Sequence, residues 1–490
     1  MSGVTLSENS SPTLAGLEPQ PTSVTPGSVP TGSVTPTPGV RPAALPVRLA
    51  YGLADQVLSV GGMFAVNIAL ARLRSKEEYG SFALSYSIFT LLSGLHNAAI
   101  LEVYTIYGSG RYHHRFAGYG KLLWRTNAWV LAGITTLLLG TWRGLRWWHP
   151  AFAAPALLGV ALSGGVLMTA SFIRRTFYMR RRPDLAARFS GAFFVSCMIL
   201  LALAIRRDWL NGLSAFLIVA AAWLIAVPFV RGEMFVRTEP GANGPNMIQR
   251  GAIGTATTVP DKTVPDDGMD FLLVEPDYWA EHWKYARWVL VTALVFQFTA
   301  QAYFWVVAGL LSVRDVAELR ALYNLALPVD QIFAAVSVLV LPQMALLFAT
   351  RELGKLRHLW WKCSLLFFGI SAAFALLVSF ESLPLLHFVY GGKFDNAAPL
   401  LRWYALLPVV MGIGNAANAA LKAVEKPQAV FYAYLTSGAA TFVFGIALVM
   451  HLGLRGAVYG MLLSGASYTA VLSSCFYRFN RASVRSRVTE

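Results

Sequence analysis

The chain has 490 residues and a formal net charge of +15, and it is 56% hydrophobic with only 13% charged residues. A soluble domain carries roughly 25% charged residues, so a soluble enzyme around one large core is excluded for want of polar surface. The positive charge does not indicate nucleic acid either. Lys and Arg lie mostly between apolar runs, where they meet anionic lipid headgroups and set orientation, and no zinc-ligand spacing or aromatic-interleaved basic motif accompanies them.

Residues 1–44 are rich in Pro, Thr, Ser and Gly. They cannot bury enough apolar area to offset ordering entropy, and they lack the apolar core of a secretory signal. They read as a disordered cytoplasmic tail. From residue 51 onward, apolar runs alternate with short charged or Gly/Pro turns. At 1.5 Å per residue such runs cross roughly 30 Å of hydrocarbon. The pattern predicts an all-α polytopic membrane protein of about twelve spans: 51–70, 81–106, 122–141, 153–173, 186–205, 212–230, 286–311, 321–347, 361–380, 398–421, 428–450 and 454–475. Between the fifth and sixth spans Arg206-Arg207-Asp208 leaves a very tight joint, for which re-entrant elements are the competing reading. Cys197, Cys363 and Cys475 all fall in apolar runs and read as small buried hydrophobes.

Residues 231–285 form one long Gly/Pro-containing loop, read as a partly disordered cytoplasmic linker. Its last part, 277–288, mixes aromatics with charge and suits an interfacial helix. The loop divides the chain into an N-terminal six-helix lobe (45–230) and a C-terminal one (286–477), followed by a short basic tail (478–490). With the N-terminus inside, 27 Lys and Arg fall on the inner side and 12 on the outer, or 21 against 12 without the long loop. The excess predicts both termini in the cytoplasm. The halves also echo each other at a shift of 237 residues: Ala71–Phe82 falls on Ala308–Leu319, and Tyr86 on Tyr323. An even number of spans per half gives both the same sense, so the lobes are related by a pseudo-twofold axis along the membrane normal. That arrangement suits a transporter that rocks one bundle against the other.

Ionisable groups inside spans are expensive and face cavities or partners. Asp55, Glu102, Arg125, Asp330, Arg402 and Lys422 are of this kind, and the amides Asn67, Gln297, Gln301, Asn324, Gln331, Asn415 and Asn418 add to them. Arg125, Arg402 and Lys422 sit near span ends, where snorkelling to headgroups is the plain alternative. Asp55 and Glu102 have pairing with cytoplasmic cations as theirs. Asp330 is too short to snorkel. Gln297 and Gln301 share one helical face, as do Asn324 and Gln331, which predicts a wet cavity between the bundles. Gly61, Gly62, Pro328, Pro342, Pro408 and Gly412 are hinge candidates, with close helix packing as the alternative for the glycines. No P-loop or HExxH motif occurs, and His113-His114 are adjacent side chains that do not converge on a metal. No catalytic residue, metal or cofactor is expected.

Four stretches carry a family resemblance: Ala69–Leu73 with Glu77-Glu78-Tyr79-Gly80-Ser81-Phe82, Leu95–Glu102, Tyr390–Arg402, and Leu454–Gly460. Their order and spacing, over roughly residues 45–477, resemble the oligosaccharide flippases of bacterial polysaccharide biosynthesis, within the multidrug/oligosaccharidyl-lipid/polysaccharide exporter (MOP) superfamily. The long loop and the tail depart from that pattern. The resemblance implies two six-helix lobes around a cleft, in the bacterial inner membrane. It implies alternating-access movement of undecaprenyl-diphosphate-linked sugar repeat units to the outer leaflet, for capsule, exopolysaccharide or O-antigen. Partners would be membrane lipids, a polysaccharide polymerase and export machinery. On this reading Arg72, Arg125 and Arg402 attract the diphosphate. Asp330, Gln297, Gln301 and Asn324 line the sugar path or bind a coupling ion, and Asp55, Glu102, Asn415 and Asn418 join the cavity-lining set. The alternatives are a cation-coupled multidrug antiporter of the same architecture and, further off, a membrane-embedded polymerase or scaffold.

Overall fold

The computed structural model describes residues 45–109, 116–148, 155–180, 182–234, 278–424 and 426–488. The N-terminal tail, most of the long loop and the His113-His114 pair lie outside these residues. Every described element is helical. The first lobe holds α1 (Leu45–Leu73), α2 (Lys76–His96) running on through a π turn (Asn97–Glu102) into α3 (Val103–Ser109), α4 (Phe116–Trp148), α5 (Pro155–Met179), α6 (Pro183–Arg206), α7 (Gly212–Ala226) and the short α8 (Arg231–Met234). The second holds α9 (Tyr278–Leu310), α10 (Val313–Ala349), α11 (Leu353–Tyr390), α12 (Ala398–Tyr404), α13 (Leu406–Ala423), α14 (Pro427–Ala440), a second π turn (Thr441–Gly445), α15 (Ile446–Leu452) and α16 (Leu454–Val488).

The described residues of the twelve expected spans are helical, with the tenth span broken between α12 and α13. Ten helical stretches among the described residues are long and apolar enough to cross a membrane. The chain is an integral, multi-pass membrane protein of two helical lobes. The tight fifth-to-sixth joint holds without re-entrant elements. Asp208 takes a left-handed φ of 57°, Trp209 N–H closes onto the Ala204 carbonyl at 2.8 Å, and Asn211 and Ser214 cap α7 reciprocally.

Two expectations change. Among the described residues Tyr278–Trp288 form no separate interfacial helix: they open one continuous helix through Leu310. Residues 478–488 are not a tail but the last turns of α16. Two breaks follow from proline chemistry. Pro408 cannot coexist with a helical carbonyl four residues earlier, and the chain breaks between α12 and α13. Pro384 acts likewise in α11, where Glu381 leaves helical geometry (φ −110°, ψ 21°).

In the first lobe α1 packs on α6, while α5 packs on α4 and α7. In the second, α16 packs on α13, α14 and α15, and α13 also meets α10 and α11. Between lobes α2 lies against α9 and α10, and α1 touches α10 and α11. One apolar core fills the first lobe and runs on into the junction, through Phe304, Val307, Leu322 and Tyr404. A second core, around Phe333, Trp360, Phe367 and Leu472, belongs to the second lobe alone. Gly62 and Gly412 serve close packing. A Cβ at Gly62 would stand 2.6 Å from the Phe193 ring, and one at Gly412 would stand 3.3 Å from Phe367 Cβ. Pro328 and Pro342 both lie within the continuous helix α10.

Candidate functional site

The turns α1–α2 and α9–α10 lie at one end of the bundle, here called the hairpin end, and a polar lattice ties the lobes together there. Lys76 Nζ meets Glu318 Oε1 at 2.6 Å, and Glu77 pairs with Arg314. Arg72 donates to the Phe388 carbonyl at 3.1 Å, and Lys393 donates to the Arg74 carbonyl at 2.6 Å. Burial, and then the Arg74 charge, pull the Lys393 pKa below the ordinary lysine value. Both hairpins are built alike. Ser75 caps α2 by accepting from Glu78 N–H, and Ser312 caps α10 by accepting from Asp315 N–H. The two serines are 237 positions apart, as are Glu77 and Arg314. A Cβ on Gly80 would overlap the Val313 carbonyl, so only glycine lets α2 and α10 approach this closely.

Beneath the lattice, a buried triad joins the lobes. Tyr79 O–H donates to Asn67 Oδ1 at 2.7 Å, and Asn324 Nδ2 donates to Asn67 Oδ1 and the Tyr79 hydroxyl oxygen, each at 2.8 Å. Beside it stands Arg320, only 4% exposed. Its guanidinium faces Tyr86 of the first lobe at 4.4 Å, and Tyr323 and Phe304 of the second at 4.8 and 5.6 Å. Tyr86 and Tyr323 are the pair that the repeat superimposes. Among the described residues Arg320 makes no ion pair or hydrogen bond, and its Nε is buried without an acceptor. A desolvated cation–π contact contributes about 2 kcal/mol, whereas burying an ion costs several. The rings alone do not offset the charge; an anion or ordered water would. Sequence reading passed over Arg320 because it sits one residue ahead of the expected eighth span. The signal was its position three residues before Tyr323, a turn inside the helix that Ser312 caps.

The other candidates scatter. Asp55 is fully buried inside the first lobe and saturated. Arg174 grips it with two bonds of 2.9 and 2.7 Å, Tyr178 donates at 2.7 Å, and Ser190 at 2.5 Å. Its neighbour Gln56 reaches Gln331 of α10 at 3.4 Å, midway along the bundle. Gln297 packs on Gly94 of α2, and Gln301 is buried with its Oε1 unpartnered. Asp330 is partly buried and has no partner among the described residues. It lies ten residues, about 15 Å, along α10 from Arg320, too far to neutralise it. Asn418 Nδ2 donates to the Tyr468 hydroxyl at 3.1 Å, while Asn415 is partly buried. Arg125 is exposed on α4, and Arg402 donates to Ser382 Oγ at 3.0 Å. Arg72, Arg125 and Arg402 are not brought together.

At the opposite end Glu102, on the π turn, lies within electrostatic range of Lys422 from the second lobe and Arg175 from the first. Arg175 also reaches Asn97 Oδ1 at 3.3 Å. His282 of α9 donates from Nε2 to the Ala99 carbonyl in the π turn at 2.8 Å and accepts from the Tyr119 hydroxyl at Nδ1, also at 2.8 Å. The two π turns and this link were not visible in the hydrophobic pattern.

The chain thus folds as two helical lobes joined along a polar seam. No family model matches the chain, and no curated relative does. Among solved structures it is similar to a multidrug resistance MATE family transporter of the MOP superfamily in an inward-facing conformation, at 13% identity, 90% of this chain, 98% of that one and a TM-score of 0.71. An outward-facing conformation of a transporter so described is matched at 12% identity, 90% and 95% coverage, and a TM-score of 0.56. A MOP superfamily transporter from Pyrococcus furiosus, described as having a binding pocket of reverse polarity, is matched at 13% identity, 90% and 95% coverage, and 0.58.

Proposed function

We propose that this protein is a flippase that carries undecaprenyl-diphosphate-linked oligosaccharide repeat units across the inner membrane by alternating access. Polysaccharide polymerase and export machinery would then take them up. The observation that carries the reading is Arg320, a buried cation without a carboxylate, set between matching tyrosines of the two lobes. A planar guanidinium with unused donors suits a diphosphate and repels a cationic drug. Asp55, the buried acid of the first lobe, is already held by Arg174. The excess of Lys and Arg on the opposite side supports an outward-facing hairpin end. The higher TM-score to an inward-facing structure than to an outward-facing one agrees with an outer gate closed by the Lys76–Glu318 and Glu77–Arg314 pairs. The antiporter reading draws on Asp330, the unpartnered acid of α10.

The test is the fate of lipid-linked sugar in cells lacking the protein, read with a membrane-impermeant modifier. Repeat units trapped on the cytoplasmic face, with polymer lost and regained on complementation, are expected. Units that reach the outer leaflet unpolymerised would move the assignment to a polymerase. An unchanged lipid-linked pool alongside altered drug efflux would favour the antiporter.

A further inference from the structure

The opposite end of the second lobe carries a second site, independent of the transport reading. A cavity of about 440 Å³ opens between the first turns of α11 and the last turns of α16, lined by Arg357, His358, Trp360, Trp361, Phe476 and Tyr477. That is within the roughly 300–1,000 Å³ of small-ligand sites. The lining contains no acid. Arg357 and His358 are exposed and make no ion pair or hydrogen bond among the described residues. Trp360 is only 8% exposed, and its ring packs 4.9 Å from Phe476. Its Nε1–H is nevertheless buried without an acceptor. The acid-free basic lining of this cavity points to an anionic ligand. Trp361 (53% exposed) and Tyr477 (63%) flank the mouth, as amphipathic rings do at the boundary of water and hydrocarbon. Along α11 the pocket continues into an apolar track, with Leu365, Phe368, Leu376 and Phe380 all at least 46% exposed.

We propose that this crevice binds the phosphate of an anionic phospholipid headgroup. Arg357 and His358 face the phosphate, Trp361 and Tyr477 flank it, and the acyl chains lie along α11. The donors recognise a phosphate; the adjoining apolar track favours a lipid over a free ion.

The full-length protein, purified and delipidated in detergent, would be titrated with phosphatidylglycerol, with phosphatidylcholine and with inorganic phosphate, and bound adducts counted by native mass spectrometry. One tight phosphatidylglycerol is expected, held at least tenfold more strongly than phosphatidylcholine and not displaced by millimolar inorganic phosphate. The R357Q/H358Q variant should lose that adduct, R357K should keep most of it, and K121Q, on exposed α4, should leave it unchanged. Displacement by inorganic phosphate would overturn the lipid assignment in favour of a free-phosphate site. Equal retention by R357Q/H358Q, or equal loss in K121Q, would overturn the site itself.

Discussion

At the scale of single residues, two charges behave oppositely. Asp55 is consumed by structure: two Arg174 bonds and two hydroxyl donors satisfy both of its oxygens. Removing one partner of such a pair strands the other, which costs about 3 kcal/mol. D55N should therefore lower the apparent melting temperature by several degrees, and D55N/R174Q should lose less than the sum of the single variants. Strict additivity in thermal melts would show that the pair does not couple. Arg320 is the reverse, a charge left unmatched among the described residues. R320Q should express and elute normally yet export polymer at least tenfold less. R320K should recover little, because an ammonium lacks the planar fork. Wild-type export by R320Q would sink the headgroup assignment. Only part of this was legible in sequence. The acid in a span announced that Asp55 needed a partner, but Arg174 is 119 positions away, and nothing local named it. The expectation of charge at a cleft was attached to other arginines, because span edges drawn from hydropathy put Arg320 outside.

Among the helices, hydrophobic runs located every span, since long apolar stretches are the strongest signal that a chain carries. Joints and irregularities were less visible. A π turn costs the sequence no polar residue, so Asn97–Glu102 and Thr441–Gly445 sit unmarked inside apolar runs. The close approach of α2 to α10 depends on the absence of a side chain at Gly80. G80V should therefore wedge the hairpin end open, and spin labels at Leu73 and Leu310, both exposed, should report a longer separation than in the parent. An unchanged distance would mean that the helices absorb the methyls elsewhere. At the sixth span the cap is the vulnerable point. N211A removes the side-chain acceptor of Ser214 N–H and should cost about 1 kcal/mol, measured as a lower melting temperature with export intact.

For the molecule as a whole, the lobes touch along two unequal seams. Helix α9 follows α2 from the hairpin end to the His282–Ala99 bond near the other, while the innermost hydrogen bond between α1 and α10 is Gln56–Gln331, midway. If the lobes rock as proposed, the hairpin lattice breaks first, since the interlobe ion pairs Lys76–Glu318 and Glu77–Arg314 are there. E77R should set two guanidiniums against each other and depress export severalfold, and E77R/R314E should restore it. If the double variant stays as poor as the single, the lattice is not a gate.

The Glu77–Arg314 contact also explains why the kinship of the two halves is so faint. A twofold axis brings a position face to face with its own counterpart. A duplicated chain that kept glutamate at both places would oppose two carboxylates. One that kept arginine at both 83 and 320 would crowd two guanidiniums among the same rings; position 83 is instead a fully buried alanine. Ser75 and Ser312 each cap their own helix and have been free to stay identical. Along such a seam, counterparts that would set like charges against each other must differ, whereas uncharged ones such as Tyr86 and Tyr323 can stay alike.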